Sequence, residues 1–415
     1  MPRVLLLSLV YSPDTVSTAN LLTEMAQSFQ KYGHEVTVLT SMPHYNPSEE
    51  VRQHPVYRPP LPRLFTEANE GGVRVLRVYM PLKRQRLWLR AVDYLWFHFI
   101  TTLVALGKIG PQDIIFVLSP PITLGLSGYL LAQCLGGKLI YDVLELWPDV
   151  PVRMGLIRHP LLLRLVYAME AFVYRRATVV TCIARTFMES LRQRGVPAEK
   201  LRFTPVFVDI DLVTPGRKDN AFAREHKLEH TFVAFYAGNI GLTQGLEILV
   251  AVAQELRYDE DICIVVIGDG AGRSLFEQAV AGAGLQNILC LPFQPYKRIA
   301  ETYATADVCL SPMRAGFSYD TVPSKIYTAM AAGRPVIAAA EQDTETARLL
   351  QESQAGVVVT PESAVEMAAA IRQLHDAPAR AHTMGQKARN WIVEHYSKDV
   401  VLTTYDQILR EAGQQ

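Results

Sequence analysis

The amino-acid sequence predicts an α/β fold that consists of two Rossmann-like halves with a ligand-binding cleft between them. Short apolar runs rich in β-branched residues alternate with helical patterns, and this alternation is typical of parallel sheets with helical crossovers. A segment that mixes Pro, Asp and Gly, residues 201–220, interrupts the alternation, and a second series of the same kind follows it. The chain has 415 residues, which is enough for two or three domains of about 150 residues each.

The first half opens with a βαβ pattern. Residues 4–10 predict a strand, residues 20–32 predict a helix, and Gly33 stands where a helix end favours a left-handed residue. Residues 41–72 are rich in Pro and polar side chains and predict a long loop. The remaining strands of this half are predicted at 36–40, 73–79, 113–120, 138–146 and 178–184.

The second half repeats this alternation. Its strands are predicted at 231–238, 262–270, 288–293, 307–313, 334–340 and 355–360, and the pattern is helical from Ala364 to the end. The predicted division is therefore an N-terminal domain over 1–206, a C-terminal domain over 207–392 and a last helix over 393–415. In folds of this kind, ligands bind at the carboxyl ends of the strands.

The composition argues against several functional classes. Apolar residues make up 49% of the chain and charged residues 20%, which is ordinary for a folded protein. Lys and Arg number 41, as do Asp and Glu, so no overall positive field would recruit nucleic acid. The five cysteines are scattered without a CxxC pair or metal-ligand spacing, which favours a reducing, cytoplasmic compartment.

No segment of the sequence is predicted to cross a membrane. The apolar run at the start ends after residue 10 and no small-residue cleavage site follows, so a first strand is a better interpretation than a signal peptide. The longest apolar stretch elsewhere is 94–107, which includes His98. It is shorter than the roughly 20 residues that span a bilayer.

Two glycine-containing junctions between a strand and a helix in the second half are candidate phosphate sites. In YAGNIGLTQGLEILV the strand ends at Gly238, and backbone amides at the following helix start can hold a phosphate. VIGDGAGRSLFEQAV repeats the design with Gly268, Gly270 and Gly272. Its spacing, and the lack of an acidic residue about 20 positions later, argue against a nicotinamide cofactor. Glycine turns are common between strands and helices, so both are weak signals.

A third junction, SYDTVPSKIYTAMAAGRPVIAAA, is more specific. Pro323 and Ser324 can begin a helix whose first turn presents free amides and a hydroxyl. Lys325 lies in that turn, where the helix dipole disfavours a cation unless an anion lies opposite. The alternative is a solvated lysine on an amphipathic helix. The order of the surrounding motifs favours the anion site.

These motifs together resemble glycosyltransferase family 4, the retaining enzymes of the GT-B fold, over nearly the whole chain. The matching pieces are YGHEVTVLTSMPHY, YDVLELWPDV, PVFVDIDLVTP, FYAGNIGLTQGLEILV, VVIGDGAGR, LPFQPYKRIAETYATADVCLSPM and VPSKIYTAMAAGRPVIAA. The branch that they resemble adds amino sugars or deoxyhexoses during bacterial surface-polysaccharide assembly. The resemblance implies a nucleotide on the C-terminal half, an acceptor on the N-terminal half, and a last helix that crosses back to the first domain.

The implied donor site departs from the family pattern at the sugar and the ribose. Many members carry a Glu-x7-Glu pair that holds these two groups, and the matching positions here are Asp320 and Thr328. Asp320 can still accept hydrogen bonds from sugar hydroxyls, whereas Thr328 gives up the bidentate carboxylate contact to the ribose.

The implied contacts to the diphosphate also differ. The family's arginine and lysine of the first C-domain loop correspond to Asn239 and Gln244, and Lys325 and Arg314 are the nearest cations in sequence that could replace them. The donor-binding residues that the resemblance implies are Gly238, Asn239, Gln244, Gly268, Phe293, Arg314, Ser324 and Thr328.

The implied acceptor site lies on the N-terminal half. Family members usually carry Gly-Gly in the first loop, where this chain has DTVSTAN, so Ser17 and Thr18 offer hydroxyls instead. Glu145, at the end of a predicted strand, could orient or deprotonate the acceptor hydroxyl, and Asp149 is the second candidate. A helix-start carboxylate or a salt-bridge partner is an equally good interpretation of Glu145.

The implied reaction is sugar transfer with retention at the anomeric carbon, without a metal and without a cofactor beyond the nucleotide-sugar substrate. Amides and cations would neutralise the leaving diphosphate while the sugar passes through an oxocarbenium-like state. The acidic sequence DIDL, residues 209–212, falls in the predicted linker, where a solvated turn is favoured over a metal site. The predicted catalytic residues are Glu145, Lys325 and Asp320.

A UDP-linked donor is taken as the default, because the sequence does not identify the base, and two alternative functions stay open. A nucleotide-sugar epimerase or hydrolase on the same fold would need a further acid–base residue near the donor, where FSYDTVPSK offers only Asp320. A non-catalytic subunit is the second alternative, because Asn239, Gln244 and Thr328 depart from the family pattern. The expected partners are a nucleotide sugar and a saccharide or polyprenyl-linked acceptor, and not nucleic acid.

Residues 83–108 predict peripheral contact with a membrane. Cations attract anionic headgroups and tryptophan favours the interface, and this stretch opens with Lys83, Arg84, Arg86 and Arg90 beside Trp88 and Trp96. The apolar residues of 95–106 could enter the acyl boundary without spanning it. The alternative is a buried helix with a solvated cationic lead-in. Docking would place the protein in the cytoplasm, at the inner face of the cell membrane.

Overall fold

The chain forms two units, each built on its own β-sheet. The computed structural model describes residues 1–14, 16–44, 51, 53, 64–81, 87–241 and 244–414. The first unit comprises Met1–Thr204 together with Leu402–Gln415, and the second comprises Pro205–Val401. Strands alternate with helices in both, so each unit has the α/β architecture that the sequence predicts.

The described residues of the first unit contain an eight-stranded sheet. Its strands are β1 (Arg3–Leu7), β2 (Glu35–Ser41), β3 (Phe65–Glu70), β4 (Val73–Val78), β5 (Ile114–Ser119), β6 (Lys138–Val143), β7 (Val179–Cys182) and β8 (Leu201–Phe203). They lie in the order β3-β4-β2-β1-β5-β6-β7-β8, and all neighbours are parallel except β3 and β4. The order reverses between β1 and β5, which places a topological switch point at the carboxyl ends of these strands.

Burial on both faces explains the central strands of this sheet. The side chains of residues 4–7 in β1 and 114–117 in β5 are fully buried and apolar, as expected for parallel strands that helices cover on both sides. The helices of this unit are Ser17–Lys31, Leu87–Lys108, Thr123–Leu135, Asp149–Arg153, Pro160–Arg176 and Arg185–Gln193.

The strand β3 lies in the segment 41–72, for which the sequence predicts a loop, and for β3 that prediction is wrong. β3 pairs with β4 in an antiparallel hairpin that turns at Gly71 and Gly72, which have φ of 61° and 89°. Its sequence, FTEANE, belongs to a largely exposed edge strand, so the usual apolar signal is missing. Residues 45–50, 52 and 54–63 of the same segment lie outside the described residues.

The second unit is built on a six-stranded parallel sheet. Its strands are β9 (Phe232–Asn239), β10 (Ile262–Asp269), β11 (Ile288–Leu291), β12 (Val308–Ser311), β13 (Val336–Ala339) and β14 (Gly356–Val359). Their order, β11-β10-β9-β12-β13-β14, is the 3-2-1-4-5-6 order of a Rossmann fold. The helices are Ala221–Glu225, Glu247–Glu255, Arg273–Gly282, Ile299–Thr305, Lys325–Ala331, Glu345–Ser353, Ala364–His375 and Pro378–His395.

Alternate side chains of β9 enter two apolar clusters. Val233 and Phe235 belong to one cluster, while Ala234 and Tyr236 belong to the other. Because successive side chains of a strand point to opposite faces, the two clusters cover the two faces of the sheet. This two-sided burial accounts for the continuous apolar sequence from which the strand is predicted.

The last helix, Lys398–Gln414, belongs to the first unit from Leu402 onward. Nε2 of His34 lies 2.6 Å from a carboxylate oxygen of Asp406. The hydroxyl of Tyr405 donates a 3.2 Å hydrogen bond to the buried carboxylate of Asp142 on β6. With Leu409 fully buried, these contacts hold the end of the chain on the first sheet.

The helix Leu87–Lys108 carries much of the segment predicted to touch a membrane. Phe97 and Ala105 are fully buried, whereas Leu95, Phe99 and Leu103 are exposed. The predicted cations Lys83, Arg84 and Arg86, and the side chain of Trp88, lie outside the described residues. None of the helices in the described part of the chain is both long enough and apolar enough to cross a membrane.

Candidate functional site

The candidate donor site lies at the switch point of the second sheet. The chain adds β10 and β11 on one side of β9 and then continues with β12 on the other. The loops that leave β9 and β12 therefore diverge and open a crevice at the carboxyl ends of these strands, which is where open α/β sheets bind ligands. Gly238 and Asn239 end β9, and Arg314 follows β12.

Two glycines allow the strand-end loops to approach one another closely. Gly238 has a φ of 148°, and a Cβ atom on it would lie 3.2 Å from Cε of Lys325. A Cβ atom on Gly268 would lie only 2.0 Å from the carbonyl oxygen of Gly238, so no larger residue fits there. The glycine signals in the sequence thus correspond to a close approach of β9, β10 and Lys325, which exposes backbone to any ligand at this place.

Lys325 brings a cationic group to the end of β9. Lys325 is half-buried as a residue, and its amine donates a 3.1 Å hydrogen bond to the hydroxyl of Tyr236 and lies 4.5 Å from the centre of that ring. Burial lowers the pKa of Lys325 to about 7. Among the described residues, no carboxylate lies within ion-pair distance of this amine. The charged form therefore lacks a counter-ion that an anionic ligand would supply.

Arg314 is the second cation of this region. It packs directly on Gly245, since a Cβ atom there would lie 2.8 Å from Cγ of Arg314. Its guanidinium forms an ion pair with Glu247, in the first turn of the helix Glu247–Glu255. In this arrangement Arg314 is occupied by a partly exposed carboxylate, an interaction that solvent weakens.

Asn239 and Gln244 flank the loop that follows β9. A Cβ atom on Gly241 would lie 2.6 Å from Nδ2 of Asn239 and 2.6 Å from Oε1 of Gln244, so both amides surround this glycine. They can donate hydrogen bonds to a phosphate but supply no positive charge. Residues 242 and 243 of the loop lie outside the described residues.

Ser324, Thr328 and Phe293 occupy different positions around the site. Ser324 is exposed immediately before the helix Lys325–Ala331, and its side chain does not cap the helix. Thr328 is half-buried in that helix, one turn after Lys325. Phe293 is exposed after β11, at the edge of the sheet and two strands from β9.

Asp320 lies in a loop that another carboxylate holds in place. Asp320 is buried at the end of the segment 314–320. Glu341, two residues after β13, accepts a 2.5 Å hydrogen bond from the amide of Gly316 through Oε1. Its Oε2 accepts a hydrogen bond from the hydroxyl of Ser318. Glu341 thus fixes the conformation of the loop that carries Asp320.

In the first unit, Glu145 lies just beyond the carboxyl end of β6. Glu145 is half-buried as a residue, and burial of its carboxyl raises the pKa to about 7. A carboxyl of this kind can give or take a proton near neutral pH. The predicted strand 138–146 ends at Val143, so Glu145 lies in the loop and not in the sheet.

Asp149 is held in an ion-pair network. It accepts hydrogen bonds from the hydroxyl of Tyr167 (2.9 Å) and from Nη2 of Arg194 (2.6 Å). Arg194 also donates to the buried carboxylate of Glu170 at 2.9 Å. These contacts tie Asp149 to two neighbouring segments of the unit. They give its carboxylate a structural role that needs no ligand.

Ser17 and Thr18 begin the first helix of the chain. Ser17 is exposed and Thr18 is half-buried, and no acidic residue lies in the first turn. The preceding loop is braced by Arg77 of β4, which is buried. Arg77 donates hydrogen bonds to the carbonyl of Ser12 and to both carboxylate oxygens of Glu70.

Two family descriptions match successive regions of the chain. Residues 18–206 match the family described as Glycosyl transferase 4-like domain, and residues 217–391 match the one described as Glycosyl transferases group 1. The chain belongs to glycosyltransferase family 4. The matched C-terminal region contains every donor-binding residue predicted above, and the matched N-terminal region contains Thr18, Glu145 and Asp149.

Several proteins are similar to this glycosyltransferase over nearly its whole length. WcaI of Escherichia coli, named for a glycosyl transferase role in colanic acid biosynthesis, is 25% identical over 413 residues, 96% of this chain and 99% of its own. A 2-deoxystreptamine glucosyltransferase of Streptomyces kanamyceticus is 26% identical and covers 85% of this chain and 92% of its own.

Solved structures confirm the GT-B fold of this glycosyltransferase. Sucrose-phosphate synthase of Thermosynechococcus elongatus superposes with a TM-score of 0.75 at 19% identity and covers 99% of each chain. Anabaena HepE, solved in complex with UDP, has a TM-score of 0.74 at 14% identity and covers 99% of this chain and 100% of its own. At such identities the likeness concerns the fold.

Sequence reasoning missed two residues that shape the candidate sites of this glycosyltransferase. Glu341 is a carboxylate directly beyond a strand end, the same signal that singled out Glu145, and could have been found in this way. Arg77 is a cation between two apolar neighbours, Leu76 and Val78, near the end of the strand VRVLRV, which indicates a buried partner. Among the described residues, no cluster of three or more His, Cys, Asp or Glu could hold a metal ion.

Proposed function

We propose that the protein is a retaining glycosyltransferase that moves a sugar from a UDP-linked donor to a saccharide or lipid-linked acceptor in surface-polysaccharide assembly. The observation that carries the proposal is the amine of Lys325, which lies at the switch point of the second sheet without a carboxylate partner among the described residues. The UDP bound to HepE supports the choice of donor, and the name of WcaI supports the pathway class.

The leaving diphosphate is the group that this site suits. Its negative charge would stabilise the protonated form of Lys325, which burial of the amine disfavours. Arg314 would add a second cation by exchanging Glu247 for a phosphate, since its ion pair with Glu247 is partly exposed. Two cations match a diphosphate leaving group, and we therefore propose that the transfer needs no metal.

The sugar and the ribose are assigned to neighbouring positions. Asp320, in the loop that Glu341 fixes, would accept hydrogen bonds from the sugar hydroxyls. Thr328, one turn beyond Lys325, would lie next to the ribose and offer a single hydroxyl. Both assignments follow the family pattern and rest on the position of Lys325 between them in sequence.

The acceptor is assigned to the first unit. Glu145 would orient and deprotonate the attacking hydroxyl, because a carboxyl with a pKa of about 7 is an effective base near neutral pH. Ser17 and Thr18 would supply hydroxyls to the acceptor. Asp149 would act indirectly, through the network with Arg194 that holds the short helix Asp149–Arg153.

We further propose that the protein acts at the inner face of the cell membrane on a polyprenyl-linked acceptor. On the helix Leu87–Lys108, five apolar side chains that are 50–69% exposed follow one another at helical spacing: Val92, Leu95, Phe99, Leu103 and Leu106. Such a stripe suits contact with the acyl boundary of a bilayer. Of the cations predicted to support it, Arg90 lies within the described helix.

Binding and turnover assays test the donor assignment. Wild-type protein should release UDP from one member of a panel of nucleotide sugars in the presence of a matching acceptor, and should bind UDP in isothermal titration. Lys325→Ala should weaken UDP binding by about 2–3 kcal/mol, the scale of a charge-assisted contact. Lys387→Ala, which removes an exposed lysine hydrogen-bonded to Gln354, is the matched control and should bind as wild type does.

Each outcome of this assay decides between functions. Equal UDP affinity in Lys325→Ala and Lys387→Ala would remove Lys325 from the site. Release of UDP at the same rate with and without every acceptor would indicate a hydrolase. Tight UDP binding without turnover of any donor would indicate a non-catalytic subunit.

A further inference from the structure

A second exposed apolar surface lies on the first unit, in the segment 153–165. This segment includes the turn between the helices Asp149–Arg153 and Pro160–Arg176. Large apolar side chains that are 37–68% exposed recur along it: Met154, Leu156, Leu161, Leu162 and Leu165. Single exposed leucines are ordinary on a protein surface, but a cluster of this kind marks a place of contact.

Hydrogen bonds hold the turn and the helix start of this segment. The amide of Leu156 donates to the carbonyl of Pro151 at 2.9 Å, and the amide of Leu163 donates to the carbonyl of His159 at 3.0 Å. Nε of Arg158 donates to the carbonyl of Gly155 at 2.9 Å and closes the turn. The apolar side chains are therefore presented by an ordered turn and a helix start.

The charge of the segment is of one sign. Between Asp149 and Glu170 the chain contains no Asp or Glu. The cations of this stretch are all exposed and alternate with the leucines: Arg153, Arg158, Arg164 and, when protonated, His159. Apolar side chains between cations are the pattern that anionic bilayer surfaces attract, because phosphate groups lie at the depth of the cations and acyl chains just below.

The segment is also linked to the first exposed stripe by a shared neighbour. The helices Leu87–Lys108 and Pro160–Arg176 both pack against the helix Thr123–Leu135. Leu130 of this central helix is itself exposed. The two apolar surfaces thus belong to adjacent elements of one unit.

We propose that the segment 153–165 is a second membrane-contacting element, which places Leu156, Leu161 and Leu165 at the boundary between the headgroups and the acyl chains of an anionic bilayer. The proposal rests on the membrane docking proposed for the helix Leu87–Lys108 and adds a separate contact. One contact leaves the unit free to rotate about it, whereas two contacts fix which face of the first sheet meets the lipid. Arg158 and Arg164 then pair with lipid phosphates.

A second copy of the chain is a poorer occupant of this surface. In a two-fold symmetric contact the same segment would face itself, and its cations would meet cations. The stretch between Asp149 and Glu170 supplies no carboxylate to compensate them. Like charges brought together at an interface oppose association, which favours the anionic lipid surface as the partner.

Co-sedimentation of the full-length protein with vesicles tests the proposal. The wild type should pellet with phosphatidylcholine vesicles that contain phosphatidylglycerol and should pellet less with phosphatidylcholine alone. Changing Leu156→Ser, Leu161→Ser and Leu165→Ser together should lower partition to the anionic vesicles about tenfold. The matched control is Leu275→Ser, at a leucine of the second unit that is 68% exposed, as Leu161 is. It should pellet as wild type does.

Further variants separate this proposal from the functions on which it rests. Phe99→Ser with Leu103→Ser removes the first contact alone and should also lower partition. If that variant loses partition while the triple-leucine variant pellets as wild type does, the segment 153–165 does not touch lipid. If the wild type does not pellet with anionic vesicles, membrane docking itself is wrong. Unchanged UDP affinity in all variants shows that the donor site is intact. If the triple-leucine variant changes from dimer to monomer without losing partition, the occupant of this surface is a second copy of the chain.

Discussion

The charge of Lys325 responds to pH in the range where most enzymes work. Burial lowers the pKa of its amine to about 7. An anionic diphosphate stabilises the charged form, so binding raises this pKa and takes up a proton. In the proposed donor site, Lys325 would therefore couple nucleotide affinity to pH.

The first prediction is that UDP affinity falls as pH rises above 7. The amine must then be reprotonated on binding, and the loss approaches about tenfold per pH unit. UDP itself contributes little there, because its phosphate is ionised above about pH 6. Isothermal titration at several pH values measures the slope. Lys325→Arg keeps its charge and should give a nearly flat profile. A slope that persists in this variant would assign the pH dependence to another group.

The second prediction concerns Glu145 as the base that acts on the acceptor. Glu145→Gln should lower turnover about 100-fold while UDP affinity stays unchanged. Because burial raises the pKa of Glu145 to about 7, wild-type turnover should rise as pH passes 7, and the variant should lack this rise. Glu189→Gln, at an exposed glutamate of the same unit, is the control. A parallel loss of UDP binding in Glu145→Gln would contradict the assigned role.

The third prediction restores a carboxylate next to the ribose. Thr328→Glu should tighten UDP binding by about 1.5–3 kcal/mol, because a hydrogen bond to a charged acceptor is stronger than one to a hydroxyl. Gln has almost the same size as Glu but carries no charge, so Thr328→Gln should gain less UDP affinity than Thr328→Glu. Isothermal titration compares the two. Weaker binding in Thr328→Glu would mean that the ribose lies elsewhere.

Individual residues could be predicted from the sequence where the signal is local. Lys325 follows a proline and a serine at a helix start, and Gly238 ends an apolar run. Glu341 and Arg77 each carry a local signal, but their partners, Gly316 and Ser12, lie 25 and 65 positions away. No local pattern indicates which backbone groups such side chains will meet.

At the scale of elements, Glu341 ties the loop 314–320 of the candidate donor site to the end of β13. Glu341 accepts hydrogen bonds from the amide of Gly316 and the hydroxyl of Ser318. Both bonds are charge-assisted, and both close the loop that carries Asp320. Removing the charge should loosen the loop without disturbing the sheet.

The fourth prediction is that Glu341→Gln raises the donor KM severalfold with little change in the circular dichroism spectrum. Ser318→Ala should have a smaller effect. The double variant should be less impaired than the sum of the two, with a coupling of about 0.5–3 kcal/mol, because both changes break the same contact. Glu352→Gln, at an exposed glutamate, serves as the control. Strict additivity would show that the two side chains act separately.

Elements could be predicted where burial leaves a continuous or periodic apolar pattern. β1, β5 and β9 are buried on both faces and were predicted from their apolar runs. β3 was missed because an exposed edge strand needs no apolar residues. The strand predicted over 138–146 ends at Val143, because the apolar residues beyond it are buried in a loop and not in the sheet.

At the scale of the whole molecule, the alternation of strands and helices predicted two Rossmann-like halves. It could not predict how distant segments meet within one unit. His34 and Asp406, which lie 2.6 Å apart, are separated by 372 positions. Asp142 and Tyr405 are separated by 263. The apolar periodicity of the last helix indicates that one of its faces is buried, but not which side chains of the first sheet that face contacts.

Asp142 links the stability of the first unit to pH. It is fully buried and accepts hydrogen bonds from Thr181 at 2.6 Å and from Tyr405 at 3.2 Å. Burial raises its pKa from 3.8 to about 7. Between these values the folded protein holds a proton that the unfolded chain has released. The stability that this group contributes is therefore complete below about pH 4 and is lost progressively as pH rises to about 7.

The last prediction is that Asp142→Asn makes stability less dependent on pH. The amide stays neutral at every pH and keeps an oxygen that can accept from Thr181, so the loss of stability between about pH 5 and about pH 8 should shrink by more than about 1 kcal/mol. Glu145 and Glu170, whose pKa values burial also raises to about 7, should leave a residual slope of the same sign. Urea denaturation at the two pH values measures the difference.

Tyr405→Phe removes one hydrogen bond to the same carboxyl and should lower stability by about 1–3 kcal/mol while the pH dependence remains. Equal pH dependence in wild type and Asp142→Asn would mean that Asp142 does not titrate in this range.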